Sequence, residues 1–387
     1  MIIHPNLIAG ICHVLEQILS ADIPADYALK KTLQANPKWG SRDRRMISSA
    51  VYDIVRHKIL LTEKFQTNTL QNIIQQYFEY RPACLLPQAD FSSDINYSIP
   101  PSLHQLGITG LGRSRWEREI ACMNQVGPIY IRINYPLQAT EFIRHELTQK
   151  QIPYEEKTMS VTTDKGNKIS FPYFMIPKRF YSGDLQCFKQ GACEIQDIGS
   201  QVISYFASPK GKKNIIDACC GNGGKSIHMA TLADKNTPIF SFDIMEAKIK
   251  RLKLRAAQQK IHQIKVGIID SQTLVQFAKK ADLLLLDVPC TGIGTIKRQP
   301  ELKYKINPTT LAQKVHLQQE IFNNYAGMVK SGGELVYSTC SIFPSENESQ
   351  VDLFLQTHPE FTLQDTLTLF PSEHESDGFF MAKLVKK

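Results

Sequence analysis

The sequence predicts an α/β chain: a mostly parallel, seven-stranded sheet with helices on both faces, preceded by a helical region and a small α/β unit. Three observations predict it. From residue 213 onward, short apolar runs alternate with amphipathic stretches at helical spacing, the pattern of strands joined by crossover helices. Several of those runs end on an aspartate, and the first leads into a glycine-rich loop. Ahead of them, the apolar periodicity is that of helices until about residue 124 and that of strands from 129.

The elements follow in order. Ile8, Ile11, Val14, Leu15 and Ile18 recur at three and four, and Ile47, Val51, Ile54 and Val55 repeat the pattern, so residues 1–80 read as helical. Residues 83–101, with Pro87, Asp90, Ser92, Ser93 and Pro100-Pro101, read as loop, and another amphipathic helix runs from Trp116 to Met123. A strand is expected at 129–134, a helix at 139–150, a strand at 168–176 and a connector at 181–200. Beyond these, strands are expected at 214–218, 239–243, 264–270, 283–287, 334–339, 361–364 and 379–385, the last two as an antiparallel hairpin at one edge. The expected domains are therefore 1–124, helical; 125–190, a small α/β unit resembling an RNA-recognition fold; and 191–387, the large sheet.

Composition narrows the class. The chain has 387 residues, 42% of them hydrophobic and 21% charged, as in ordinary globular proteins. No run of eighteen apolar residues appears, and the start lacks a basic n-region, so neither a membrane span nor a signal peptide is expected. The nine cysteines show no C-x-x-C spacing, which fits neither a zinc ribbon nor a disulfide framework. A cytoplasmic, reduced monomer without a metal is expected. Forty-five Lys and Arg against thirty-seven Asp and Glu give +8, a bias toward polyanionic partners. The basic residues cluster at Arg42, Arg44 and Arg45, and again at Lys248, Lys250, Arg251, Lys253 and Arg255. Each cluster reads either as a solvated helix face or as a nucleic-acid contact, and charge alone does not separate the two.

In an open parallel sheet, ligands bind at the carboxyl ends of the strands. The first strand runs from Asp217 into Cys219, Cys220, Gly221, Asn222, Gly223, Gly224 and Lys225. Such a loop can approach a ligand closely and aim the next helix's N-terminus at it. A P-loop would need a glycine five residues before Gly224, and that position is Cys219. A tight strand–helix turn without a ligand is the plain alternative. Asp243, Asp270 and Asp287 end the next three strands. Each alone reads as a turn-capping aspartate, but four acids in register around a glycine loop point to a nucleoside cofactor lacking phosphates, and S-adenosylmethionine fits. Two cysteines, Cys290 and Cys340, follow the fourth and fifth strands. Singly, each reads as a small buried apolar residue; at adjacent strand tips beside a cofactor loop they read as chemistry.

The segments Asp287-Val288-Pro289-Cys290-Thr291-Gly292 and Gly294-Thr295-Ile296-Lys297-Arg298-Gln299-Pro300-Glu301 resemble a motif of the RNA cytosine carbon-5 methyltransferases of the Sun/RsmB type. Tyr337-Ser338-Thr339-Cys340-Ser341 with Glu346-Asn347-Glu348 resembles another, as do Asp377 to Lys383 and Glu194-Ile195-Gln196-Asp197. Trp39 to Arg56 is similar to the helical RNA-binding start of the ribosomal members. The likeness runs through residues 190–387 and is thinner before them. Where the family usually reads Cys-Ala-Ala-Pro-Gly-Gly-Lys, this chain has Gly221-Asn222 for Ala-Pro, a looser turn.

The resemblance implies a Rossmann-like class I methyltransferase domain that uses S-adenosylmethionine and forms 5-methylcytosine in RNA. It names Cys340 as nucleophile, Cys290 as the residue that releases product, and Asp287 as the contact to the base edge. Lys225 is expected to orient Asp287 or the base. The target base must be single-stranded or flipped out, with Arg42, Arg44, Arg45, Arg251, Arg255, Lys297 and Arg298 expected to hold phosphates. Small-subunit (16S) ribosomal RNA is the favoured substrate, with transfer RNA an alternative. A DNA cytosine methyltransferase would promote Cys290 to nucleophile, and an inert RNA-binding relic would have lost the acids or thiols.

Overall fold

The structure, a computed structural model, describes residues 3–21, 23–134, 136–177, 180 and 182–387, with the backbone alone at 136–138. Met1 and Ile2, at the expected leaderless start, and Tyr181, at the head of the expected connector, lie outside the described residues. The chain forms two compact units, Met1–Val126 with Thr291–Ala312, and Gly127–Cys290 with Gln313–Lys387.

In the first unit, helices α1 (Pro5–Leu19), α2 (Ala25–Ala35), α3 (Ser41–Phe65) and α4 (Leu70–Tyr80) enclose one apolar core. Ile11, Val14, Leu15 and Ile18 of α1 meet Val51, Ile54 and Val55 of α3 and Ile73, Ile74 and Tyr77 of α4, the stripes read from the sequence. A short α5 (Ser93–Asn96) interrupts the expected loop, and α6 (Pro101–Leu111) and α7 (Arg113–Met123) complete the helical run. Residues 291–312 belong to this unit through buried polar bonds. Arg56 is 2% exposed and donates to the carbonyls of Gln125, Ile296 and Lys297. Lys303, fully buried, donates to the carbonyls of Arg56 (2.6 Å) and Tyr97 (3.0 Å) and to Asn124 Oδ1 (2.9 Å).

The second unit begins with a four-stranded antiparallel sheet: β1 (Ile129–Ile133), α8 (Pro136–Gln149), β2 (Glu155–Thr162), β3 (Lys168–Ile176), α9 (Gln186–Lys189) and β4 (Cys193–Ile195), in strand order β2-β3-β1-β4. Its fourth strand lies beyond residue 190 and inside the expected connector. Alternation sorts β1 between two cores: Ile131 and Ile133 face α8 with Phe174 and Ile176, whereas Tyr130 faces the opposite way with Phe171 and Tyr173. That second face is covered by α10 (Ile198–Ala207), where Phe171 stacks on Tyr205 at 4.4 Å. RNA-recognition folds stack bases on the helix-free face of such a sheet; here that face is buried under α10.

The large sheet comprises β5 (Ile215–Asp217), α11 (Gly224–Leu232), β6 (Ile239–Asp243), α12 (Glu246–Gln258), β7 (Ile264–Ile268), α13 (Ser271–Gln276), β8 (Ala281–Asp287), α14 (Pro308–Tyr325), β9 (Val329–Thr339), α15 (Glu348–Thr357), β10 (Phe361–Leu369) and β11 (Phe379–Lys386). Its order is β10-β11-β9-β8-β5-β6-β7, parallel from β9 to β7, with the β10–β11 hairpin antiparallel at the edge. Leu283 and Leu285 enter one core and Leu284 and Leu286 the other, the reason this strand reads as an unbroken apolar run. The order reverses between β5 and β8, which places the ligand crevice at their C-terminal ends. The third expected strand of this sheet is shorter than read: β7 stops at Ile268, and Asp270 is the N-cap of α13, its Oδ1 accepting from Thr273 N at 2.8 Å.

Candidate functional site

The loop after β5 turns on two glycines in the left-handed region, Gly221 at φ +54° and Gly223 at φ +83°. A Cβ on Gly223 would lie 2.0 Å from Leu252 Cδ1, so both conformation and space require glycine there. A Cβ on Gly221 would meet nothing within 4 Å: the turn faces open space. Burial pushes the Cys219 and Cys220 thiols up, with Asp217 adding to the shift, which disfavours the thiolate at both. Asp217 is fully buried and bonded by Ser226 Oγ at 2.6 Å; burial raises its pKa to about 7.

Asp243 at the end of β6 supports the turn. Its Oδ2 accepts from Gly221 N at 3.0 Å and from Lys248 Nζ at 3.4 Å, and its Oδ1 from Met245 N at 2.9 Å. A carboxylate accepts about four hydrogen bonds, so capacity remains for a ligand hydroxyl. Ile244 beside it is 74% exposed, an apolar surface that sequence reading missed. Asp270 is exposed and held below the ordinary carboxylate range by hydrogen bonds from the backbone and side chain of Thr273.

Across the crevice, Lys225 Nζ donates to Asp287 Oδ2 at 2.6 Å, and Ser338 Oγ to Asp287 Oδ1 at 3.0 Å. Burial opposes the Lys225 charge, but Asp287 outweighs it and holds the amine above its usual pKa, with Cys340 close enough to contribute. Cys290 Sγ lies 3.2 Å from Cys340 Sγ. The supporting bonds are buried. Asn347 brackets Cys340, accepting from Thr339 Oγ1 at 2.6 Å and donating to the Ser341 carbonyl at 3.0 Å. Gln318 Nε2 donates to the Pro289 carbonyl, just before Cys290, and to Glu346 Oε1. Asn347 stood in a recognised motif without an assigned role; Gln318, alone on a helix, gave no sequence signal.

The basic candidates separate. Arg42, Arg45 and Arg251 are exposed. Arg44 spends its guanidinium on the carbonyls of Leu33, Asn36 and Trp39, closing the end of α2. Arg255 is bonded to the Asn222 carbonyl and to Glu194. Lys297 and Arg298 lie half-buried within the first unit.

Residues 204–385 match the family described as 16S rRNA methyltransferase RsmB/F. The chain is 31% identical over 334 residues to ribosomal RNA small subunit methyltransferase B of Serratia proteamaculans, covering 83% of this chain and 74% of that protein. It is 28% identical over 349 residues to the protein of the same name from Pectobacterium carotovorum, covering 87% and 77%. Among solved structures, PH0851 superposes over 100% of both chains with a TM-score of 0.80 at 23% identity. NSun6 from Pyrococcus horikoshii, solved with SFG, covers 74% of this chain and 98% of its own at a TM-score of 0.62 and 18% identity. These two share the fold.

Proposed function

The chain belongs to the RsmB/F family of 16S rRNA methyltransferases, and from that premise we propose that it methylates carbon 5 of a cytosine in small-subunit ribosomal RNA through a covalent cysteine–cytosine adduct. Members are S-adenosylmethionine-dependent, and a fold neighbour was solved with SFG, an analogue of that cofactor. The loop 219–225 fits it: open space in front of Gly221, Asp243 with accepting capacity for ribose hydroxyls, and the N-terminus of α11 behind.

The pair Cys290–Cys340 at 3.2 Å, beside the Lys225–Asp287 ion pair, carries the reading. Carbon 5 of cytosine is a poor nucleophile until a thiolate adds to carbon 6 and leaves an enamine. Cys340 supplies that thiolate, beside Cys290 and close to the Lys225–Asp287 ion pair. The cofactor supplies an electrophilic methyl group. Asp287, which accepts from Lys225, meets the base edge, and the Lys225 ammonium balances the negative charge that develops toward ring nitrogen 3. After transfer, water takes the carbon 5 proton, the electron pair it leaves restores the 5,6 double bond, and the carbon 6–sulfur bond breaks to return the thiolate. Cys290, in contact with that sulfur, serves this last phase. Exposed Arg42, Arg45 and Arg251 serve RNA phosphates.

Bisulfite sequencing of 16S RNA from a strain lacking the protein tests the reading. One protected cytosine should become convertible and be protected again on complementation; an unchanged 16S pattern overturns the substrate assignment.

A further inference from the structure

Two arginines from different elements hold the two carbonyls that flank Gly223. Arg132, on β1, is 1% exposed, and its Nη1 donates to the Gly224 carbonyl at 2.9 Å and to Gln196 Oε1 at 2.6 Å. Arg255, on α12, donates through Nη1 to the Asn222 carbonyl. Glu194 of β4 joins them: its Oε2 accepts from Arg132 Nη2 at 2.9 Å and its Oε1 from Arg255 Nη2 at 2.7 Å. Gln259 and Asn134 close the ring, Gln259 Nε2 donating to Glu194 Oε1 and Asn134 Nδ2 to Gln259 Oε1. Burial lowers the Arg132 pKa to about 10, and Glu194 opposes that shift, so the guanidinium stays charged at neutral pH.

We propose that Arg255 and Arg132, bridged by Glu194, are positioning residues for cofactor binding that fix the carbonyls of Asn222 and Gly224 and so hold the loop 219–225 in its binding shape. The small four-stranded sheet is then part of the cofactor site, since it contributes Arg132 and Glu194. The clamp falls where the loop departs from its relatives: Asn222 replaces the proline that would stiffen the turn, and Arg255 holds that residue's own carbonyl. Arg255 thereby loses its expected place as a phosphate contact.

The proposal rests on the reading that this loop binds S-adenosylmethionine, and one experiment separates the two. Calorimetry of S-adenosylhomocysteine binding to the full chain compares wild type, Arg255→Ala, Arg255→Lys and Asp243→Ala, alongside RNA affinity against salt. The Arg255 side chain is about one-third exposed, and its removal leaves the core intact. Loss of its charged hydrogen bond should weaken cofactor binding about tenfold or more, raise KM for the cofactor at unchanged kcat, and leave the RNA salt slope as in wild type. Arg255→Lys should recover part of the affinity. Unchanged cofactor affinity in Arg255→Ala, with Asp243→Ala weakened, overturns the clamp alone. Unchanged affinity in both overturns the loop as the cofactor site.

Discussion

Cys290 Sγ touches Cys340 Sγ at 3.2 Å, Cys290 three residues past the end of β8 and Cys340 directly after β9, where Asp287 and Ser338 are register partners. A carbon atom within bonding reach of one thiol is within a few ångströms of the other, so position alone does not choose the nucleophile. The variants must.

Cys340→Ser should abolish both methylation and covalent RNA capture, because a serine hydroxyl is scarcely ionised at neutral pH without an activating base. Cys290→Ala should still attack and transfer methyl, then stall as an adduct that survives denaturing electrophoresis. An adduct trapped by Cys340→Ser and absent from Cys290→Ala would assign attack to Cys290, as in the DNA-type order.

Asp243→Ala removes the acceptor for ribose hydroxyls and the partner of Gly221 N. Hydrogen bonds to a charged group are worth about 1.5–3 kcal/mol each, so cofactor affinity measured by calorimetry should fall by about ten- to a hundredfold. Asp243→Asn, which keeps an acceptor oxygen, should fall less.

Asp217 gives a pH signature. Its folded pKa of about 7 exceeds the ordinary aspartate value of 3.8 because of burial, so the folded chain holds a proton that the unfolded chain releases. Its contribution to stability therefore falls as pH rises from about 4 to 7, by up to about 4 kcal/mol at 1.36 kcal/mol per unit. Asp217→Asn should flatten that slope in urea unfolding measured at pH 4, 5.5 and 7. Parallel profiles for the two proteins would remove Asp217 as the cause.

Arg42→Ala and Arg45→Ala should each lower the salt slope of RNA binding by about 0.7 if they meet phosphates. Arg44→Ala should leave the slope alone and destabilise the helical unit by about 1–2 kcal/mol, since it removes the guanidinium that the Leu33, Asn36 and Trp39 carbonyls, at and just past the end of α2, accept from. A slope change in Arg44→Ala and none in the other two would reverse the assignment.

Much of the catalytic sheet was legible in the chain because parallel strands buried on both faces read as apolar runs, as Leu283 to Leu286 do. Strand β2 was not read, since only Met159 and Val161 of its eight residues are buried and Glu155, Glu156 and Lys157 resemble a surface loop. Strand β4 is three residues long, too short for any period. Within the site, Asp243, Asp287, Cys290 and Cys340 stand at or just past strand ends, where position announces them. The Arg132–Glu194–Arg255 ring joins residues 61 and 62 apart in sequence, a pairing that only tertiary structure creates. Arg44 could not be told from its neighbours Arg42 and Arg45 for a related reason: charge is visible in a sequence, but whether a guanidinium faces water or a helix end is not.

The bond between Lys303 and the Arg56 carbonyl joins positions 247 residues apart, and it has a consequence for inheritance. Lys303 stands downstream of Cys290, yet all three of its acceptors come from the helical stretch at the start of the chain. A gene shorn of its first 126 codons would encode a sheet whose excursion at 291–312 carries an amine shaped for acceptors that no longer exist. The helical stretch therefore cannot be shuffled on and off as an interchangeable cassette. Two of those acceptors are backbone carbonyls, which any residue at 56 or 97 supplies, so the joint constraint falls on Lys303 and on Asn124, whose side chain is the third.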